Sequence, residues 1–334
     1  MATIQDVAAA AGVSVATVSR VINNAGVVSP KTLDKVNAAI TKLAYTPNGF
    51  ARDLRKAESR YVLVLLQTIS NPFYATIVKG IEDVAHSMGY HIILSNTSSD
   101  MHRERDSLEL LNSRVVGGAI LIDAAMDIQE ICNIGAKNNL VLCCECRDDI
   151  DVTHVQIDNY MAAKTMVKHL LSLGHRDIAL IIGDADLSST KLRYDGYRDA
   201  MTEAGITVNN ALVYQSECSS YKCGMRALEG ILQSPTKPTA LFAMSDVLAI
   251  GAIKAMRSKG IRVPEDIAVA GFDGIDMSEM VVPGLTTISQ PTYDIGCTAM
   301  KLLLEKMKNS DAGNRKVVLE HSLIIRESTI PQYR

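Results

Sequence analysis

Thr3-Ile4-Gln5-Asp6-Val7-Ala8-Ala9-Ala10-Ala11-Gly12-Val13-Ser14-Val15-Ala16-Thr17-Val18-Ser19-Arg20-Val21 spells two short helices around a sharp turn. Thr3 is placed to N-cap the first helix, and Asp6, three residues on, suits the positive end of that helix. Gly12 fits the left-handed conformation that turns the chain. Ser14 is placed to cap the second helix. Val7, Ala8, Val13, Val18 and Val21 are spaced to bury one face. That leaves Val15, Ala16, Ser19 and Arg20 outside on the second helix. Short side chains let a helix approach base edges closely, and a guanidinium can bond O6 and N7 of one guanine together. The expected DNA contacts of this headpiece are Thr3, Ser14, Val15, Ala16, Thr17, Ser19, Arg20 and Asn23.

A third helix follows. Ser29-Pro30 supplies an N-cap and a first-turn proline. Val36, Ile40 and Leu43 form its apolar stripe, and Tyr45-Thr46-Pro47 stops it. Charge agrees with a phosphate partner. Residues 1–60 hold eight basic side chains against four acidic ones, a net of +4, whereas the whole chain carries −3. Basic charge gathered at one end is an electrostatic footprint for nucleic acid. A three-helix bundle that binds nothing is the plain alternative.

Residues 47–56 connect this unit to the rest. Asn48 is a good N-cap, and Ala51, Arg52, Leu54 and Arg55 favour helix. The segment is shorter than the roughly 12–15 residues an isolated helix needs, so it is expected to fold upon DNA. Asn48, Ala51, Leu54 and Arg55 complete the expected DNA contacts.

From Tyr61 onward, apolar strand-like runs alternate with helical stretches. Tyr61-Val62-Leu63-Val64-Leu65-Leu66 reads as a strand buried on both faces. His91-Ile92-Ile93-Leu94, Ala119-Ile120-Leu121-Ile122 and Leu140-Val141-Leu142 follow, with helices near 75–88, 102–113 and 127–137. A second set begins at Val155-Gln156-Ile157. It continues with Ile178–Ile182, Leu212–Tyr214, Ala240–Phe242 and Ile267–Ala270. The alternation predicts an α/β body of two parallel-sheet lobes, with ligand beyond the carboxyl ends of the strands. Residues at those ends are Asn71, Phe73 and Tyr74, then Arg193, Ser245, Asp246 and Asp273. A carboxylate and a guanidinium facing a cleft can each grip two vicinal hydroxyls, which suits a sugar or riboside.

The groups Ile4-Gln5-Asp6-Val7-Ala8, Gly12-Val13-Ser14, Thr17-Val18-Ser19-Arg20-Val21 and Tyr45-Thr46-Pro47-Asn48 together resemble the signature of the lac repressor family of bacterial transcription regulators. The likeness extends more loosely over nearly all of the chain, and Val15-Ala16 is similar to the galactose-repressor branch. The resemblance implies a helix-turn-helix headpiece (1–46), a hinge helix and linker (47–60) and a two-lobed body like the periplasmic binding proteins (61–334). The chain would cross between lobes near Asp158, Gln290 and Glu320. The N-lobe is then about 61–158 and 290–319, and the C-lobe about 159–289 and 320–330. It implies that Leu54 wedges into the minor groove beside its dimer mate, kinking the duplex. It implies that the Asn71–Tyr74 loop touches the effector, that Arg193 and Asp273 hold its hydroxyls, and that Asp158 and Gln290 assist.

Three positions depart from the family. Ser219 stands where an aromatic ring often stacks on the effector, with Tyr221 nearby. Cys146 stands where Asp or Asn often precedes the residue matching Arg147. Leu187 stands where purine-binding members carry an extra Arg. A purine effector is therefore not expected; a sugar, sugar phosphate or nucleoside is.

A headpiece alone reads too few bases, so a homodimer on a pseudo-palindromic operator is expected. Met277, Met280, Val281 and Val282 are a candidate dimer contact, with ordinary burial as the alternative. Pro331–Arg334 carry no leucine heptads, which argues against a tail-mediated tetramer.

Composition bounds the rest. The 334 residues are 47% hydrophobic with no Trp. No apolar run reaches the roughly 18 residues of a membrane span, and no signal sequence opens the chain, so a cytoplasmic protein is expected. The seven cysteines, an odd count in a long chain, read as free thiols. Cys143, Cys144 and Cys146 lack a partner set at zinc spacing, so no metal is expected. The chain contains no G-x-G-x-x-G after a strand, no G-x-x-x-x-G-K-[ST] and no G-x-S-x-G, so neither enzymatic chemistry nor a cofactor is expected. The remaining alternative is a sugar-binding protein without a transcriptional role.

Overall fold

In the computed structural model, Thr3 and Asp6 open helix α1 (Ile4–Ala11) as a reciprocal capping box. The Asp6 N–H donates to Thr3 Oγ1 at 3.2 Å, and the Thr3 N–H donates to Asp6 Oδ2 at 2.8 Å. Two donors that the first turn would leave unpaired are thereby satisfied. Gly12 ends the helix at φ +65°, and Val13 returns its N–H to Ala8. That left-handed residue aims α2 (Val15–Ile22) across α1, and α3 (Pro30–Lys42) closes the bundle. Val7, Val18 and Val36 are fully enclosed, each contributing roughly 1.5–3 kcal/mol by burial. Ala11 and Ala39 join this core, and Val13 is half-buried. The structure describes residues 2–22, 26, 28–45, 59–144, 150–185, 187–309 and 312–330.

The chain divides into two units, Met1–Ser59 and Arg60–Arg334. In the second, β1 (Tyr61–Leu66), α4 (Pro72–Ser87), β2 (His91–Asn96), α5 (Met101–Asn112), β3 (Gly118–Ile122), α6 (Ile128–Gly135), β4 (Leu140–Cys143) and β5 (Thr153–Ile157) alternate as expected for parallel pairing. They form a six-stranded sheet in the order β11-β5-β4-β3-β1-β2. Next come α7 (Asn159–Ser172), β6 (Ile178–Ile182), α8 (Ser188–Glu203), β7 (Val213–Gln215), α9 (Tyr221–Leu232), β8 (Ala240–Ala243), α10 (Asp246–Ser258), β9 (Ala268–Asp273) and α11 (Met277–Met280). The chain continues with β10 (Thr286–Ser289), α12 (Thr292–Lys308), β11 (Lys316–Leu319) and β12 (Ser322–Ile324). The second sheet runs β12-β10-β9-β8-β6-β7.

Two expectations are corrected here. Val155–Ile157, grouped with the second set by simple alternation, belongs to the first sheet, paired with β4 and β11. The pairing is not wholly parallel either, because β12 runs antiparallel to β10 at the edge of the second sheet. The strands β10, β11 and β12 do not stand out in the alternation. β11 and β12 are short and half-exposed, so they lack the apolar run that marks a central strand.

The chain changes sheets three times. After β5 it enters α7, which packs against α8 in the second lobe. After β10 it enters α12, which packs on α4 in the first. Between β11 and β12, residues 320–321 carry it across again. Apolar side chains from both lobes join in one core, including Val62, Ile77, Ile178, Phe242 and Ile288.

Candidate functional site

The expected site residues fall in two places, one on each unit. On the headpiece, Val15, Ala16 and Arg20 are exposed on α2, Val15 at 38%. Ser14 accepts the Thr17 N–H at 3.2 Å, and the two hydroxyls lie 2.9 Å apart. These two side chains therefore fix the start of the helix. Thr3 has the same duty on α1, and Ser19 is half-buried. Asn23, Asn48, Ala51, Leu54 and Arg55 lie outside the described residues, as do Cys146 and Arg147.

In the body, a cavity of about 460 Å3 opens between the lobes. Gln67, Ser99 and Ala124–Met126 line it from the first lobe, and Asp184, Leu187, Ser188 and Lys191 from the second. All follow the carboxyl ends of β1, β2, β3 and β6. A neighbouring hollow of about 530 Å3 runs along Thr68, Ser98 and Gln215–Ser219. No aromatic ring lines either space among the described residues. Tyr221 is engaged elsewhere: the Lys254 ammonium sits 5.3 Å from its ring centroid.

None of the expected effector residues is among those lining either space; polar side chains from both lobes converge in a buried cluster that reaches the cavity through Gln67. The Arg193 guanidinium stacks on Phe272 with 3.7 Å between its carbon and the ring centroid. It donates to Asn159 Oδ1 and to the Met244 carbonyl, both at 2.7 Å. Its Nη1 lies 3.9 Å from Asp273 Oδ1, and Gln290 Nε2 donates to that same oxygen at 2.9 Å. Burial pushes the Asp273 carboxyl well above the usual carboxylate range. Arg193 and Gln290 oppose that rise, while the Asp246 and Asp123 charges add to it. From the other lobe, the Tyr74 hydroxyl lies 3.0 Å from Asp123 Oδ2 and 3.1 Å from Gln67 Oε1. Its single proton goes to the carboxylate, the stronger acceptor. Gln67 also lines the cavity, so it links this cluster to the open space.

The structure thus brings together Tyr74, Arg193, Asp273 and Gln290 of the expected set. Asn71 and Ser245 serve as N-caps of α4 and α10. Phe73 is buried edge-on against Tyr74. Asp158 is exposed and caps α7 through the Met161 N–H at 2.8 Å. Asp246 needs correction. It is 0% exposed, and its oxygens accept from Gly274 N, Ile275 N and the Thr287 hydroxyl. A carboxylate with its lone pairs so committed supports the site from beneath instead of facing a ligand.

Asp123, Gln67 and Asn159 were not anticipated. Asp123 did leave a signal: a polar residue directly after Ile120-Leu121-Ile122, in the same relation as Asp273 to Phe272. Both aspartates hold positive φ, +51° and +121°. Such strain in non-glycine residues persists where surrounding structure enforces it and gathers at ligand sites.

The expectation that every cysteine is a free thiol is also corrected. Cys218 and Cys223 form a disulfide with Cα atoms 5.9 Å apart. The loop between β7 and α9 brings the pair within bonding reach, which an odd cysteine count cannot reveal. Cys143 is fully buried, and burial pushes its thiol up. No group of three or more potential metal ligands occurs among the described residues.

Met280 and Val282 are 75% and 77% exposed, and Met277 is exposed beside them. Val281 is half-buried against the core of the second lobe, so ordinary burial accounts for that residue but not for Met277, Met280 and Val282. No helix among the described residues is long and apolar enough to cross a membrane.

Known proteins share this arrangement. Residues 3–48 match the model for bacterial regulatory proteins of the lacI family, and residues 167–329 match that for a periplasmic binding protein-like domain. The HTH-type transcriptional regulator DegA of Bacillus subtilis (strain 168) is 36% identical over 335 residues, 98% of each chain. A structure of the lac repressor dimer bound to operator and the anti-inducer ONPF superimposes with a TM-score of 0.83 at 29% identity. That match covers 98% of this chain and 99% of the other. A complex of the transcriptional regulator CelR with cellobiose gives 0.73 at 30% identity, over 98% and 100% of the two chains.

Proposed function

The chain belongs to the lacI family of bacterial regulatory proteins and is a DNA-binding transcription regulator, and from that premise we propose how it works. It represses a metabolic operon as a homodimer on a pseudo-palindromic operator, with α2 of each headpiece in the major groove. The exposed Val15, Ala16 and Arg20 read bases there, and Leu54 of the hinge opens the minor groove between the half-sites. The exposed Met277, Met280 and Val282 loop contributes to the dimer contact. The protein works in the cytoplasm and catalyses no reaction.

A hydroxyl-rich effector binds between the lobes: a sugar, sugar phosphate or nucleoside. The observation that carries this reading is the buried cluster of Arg193, Asp273 and Gln290, joined through Tyr74 and Gln67 to a cavity between the lobes. The hydroxyls of a sugar or of a ribose favour paired donors and acceptors. The cellobiose held by CelR agrees with this chemistry. Effector occupancy changes DNA affinity by a coupling of about 1–3 kcal/mol, and DNA must change effector affinity by the same factor.

Gel shift against fragments of the source genome, repeated over a salt series, tests the regulator. A thermal-shift screen of sugars and nucleosides tests the cleft. Salt-sensitive retardation together with a stabilising sugar or nucleoside is the expected pair of results. A stabilising sugar without DNA binding would favour a sugar-binding protein with no transcriptional role.

A further inference from the structure

We propose that Cys218 and Cys223 are a thiol–disulfide exchange site at the rim of the cleft, and that opening it frees the Gln215–Ser220 segment that forms the cleft wall. Its reaction partner is a low-molecular-weight thiol of the glutathione type. This inference goes beyond DNA recognition and does not depend on it.

The two sulfurs sit in contrasting surroundings. Cys218 is exposed and lies in the Gln215–Ser219 stretch that lines the hollow. Cys223 is 2% exposed and occupies the first turn of α9, whose N-cap is Ser220. The Arg226 Nη2 lies 2.8 Å from Cys223 Sγ. A guanidinium and a helix N-terminus both favour a thiolate over a thiol. Cys223 is therefore the better leaving group, and Cys218 is the sulfur that an incoming thiolate can reach.

The exchange balances as follows. A small-molecule thiolate attacks Cys218 Sγ and expels Cys223 as its thiolate, held by Arg226. A second thiolate attacks the small-molecule sulfur of the mixed disulfide and expels Cys218. The protein gains two electrons and two protons, and two small thiols become one disulfide. Oxidation is the reverse, with the small disulfide as oxidant.

The wall depends on this cross-link. Ser216 Oγ donates to the Cys218 carbonyl at 2.8 Å, and Gln215 Nε2 donates to the Gly183 carbonyl at the end of the neighbouring strand β6. The disulfide ties the far end of this segment to α9. Without it, the exposed residues Glu217–Ser219 are held by the Glu217–Arg226 ion pair at 3.6 Å, the Ser216 bond and the contact of Cys218 Sγ with Ser220 Oγ at 3.1 Å. An exposed pair of this kind contributes little. Disulfides of the reducing cytoplasm are usually redox-responsive instead of permanent.

The test uses the full-length protein equilibrated in buffers of varied reduced-to-oxidised glutathione ratio, quenched in acid, alkylated with iodoacetamide and mapped by mass spectrometry. Hydrogen exchange is followed on the same samples. The expected result is a reversible loss of alkylation at Cys218 and Cys223 alone as the oxidised fraction rises. In the reduced protein, amide exchange at Gln215–Ser220 should quicken severalfold while α9 and residues Val213 and Tyr214 of β7 hold. Cys218→Ser should exchange like the reduced protein in every buffer, and Arg226→Gln should slow reduction severalfold. Two free thiols at every ratio, reduction only in denaturant, or identical exchange in the two states would each overturn the proposal.

Discussion

Asp246 accepts the backbone N–H of Gly274 at 2.8 Å and that of Ile275 at 2.9 Å. Those two amides directly follow Asp273, so a buried carboxylate on α10 holds the turn that places the Asp273 carboxylate. Gly274 stands at φ +74°, and a side chain there would collide with Ser289. Asp273 is held at φ +121° beside it. The first lobe repeats the device. Glu104 on α5 accepts the N–H groups of Ala125 and Met126 at 3.0–3.1 Å, two and three residues after Asp123. In both lobes a helix carboxylate orders a strand-end loop that follows a strained, buried aspartate.

Replacing Asp246 with Ala leaves three buried donors without an acceptor. Each such loss costs about 1–3 kcal/mol, so the variant should lose on the order of 3–5 kcal/mol of body stability. Asp246→Asn retains one acceptor and should lose less. Urea unfolding measures both. A loss under about 1 kcal/mol for Asp246→Ala would remove its assigned supporting role.

The same residue has a pH signature. Burial pushes its carboxyl up to about 7, against the opposing bonds from Thr287, Ile275 and Gly274. A raised folded-state value means the folded protein holds a proton that the unfolded chain releases between about pH 4 and 7. The stabilising contribution is complete below about pH 4 and is lost as pH rises through about 7. Asp246→Asn should therefore flatten the fall in stability across that window. An unchanged slope in urea titrations at successive pH values would contradict the assignment.

Arg193→Lys keeps the charge but not the planar fork that reaches Asn159 Oδ1 and the Met244 carbonyl while lying on Phe272. An ammonium cannot reproduce that geometry. Whichever sugar or nucleoside raises the melting temperature of the wild type should lose at least tenfold in affinity for the variant, about 1.4 kcal/mol. DNA affinity without effector should stay near wild type. Undiminished ligand affinity by calorimetry would move the effector away from this cluster.

Arg20→Ala removes the one exposed guanidinium of α2. The expected cost is about 1–3 kcal/mol in operator binding with relaxed preference at a single base pair. Binding measured against a set of singly substituted operators separates this from a phosphate contact, for which every sequence would lose equally.

Leu54→Ala should weaken specific binding and reduce the bend of the bound duplex, because an apolar wedge unstacks the step it enters. Circular-permutation gel shift reads the bend directly. The same bend angle and operator affinity in the variant would rule the wedge out.

Much of this protein is legible along the chain because the signals are local. Thr3, Gly12, Ser14 and Ser29 act within three or four residues of themselves, and each caps or turns as its chemistry dictates. The central strands announce themselves as short apolar runs. Arg193, Asp273 and Gln290 were also reachable, since polar residues at strand ends and crossings are where an α/β fold keeps its ligand groups. Asp246 shows the limit of that logic. It too follows a strand, but whether a strand-end carboxylate faces solvent or backbone depends on a turn 28 residues away.

The sequence by itself determined the headpiece, the exposed face of α2, the alternation of strands and helices, and the family. Those features follow from nearest-neighbour backbone chemistry and from hydrophobic period, both written in consecutive residues. Only the tertiary structure decided that β5 and β11 share a sheet, that Asp123 and Asp273 carry matched strain, that Asp246 and Glu104 are supports, and that Cys218 is bonded to Cys223. Each of these rests on where separate segments meet in space, and a one-dimensional pattern does not encode a distance between residues that become neighbours only when two lobes close around a common core.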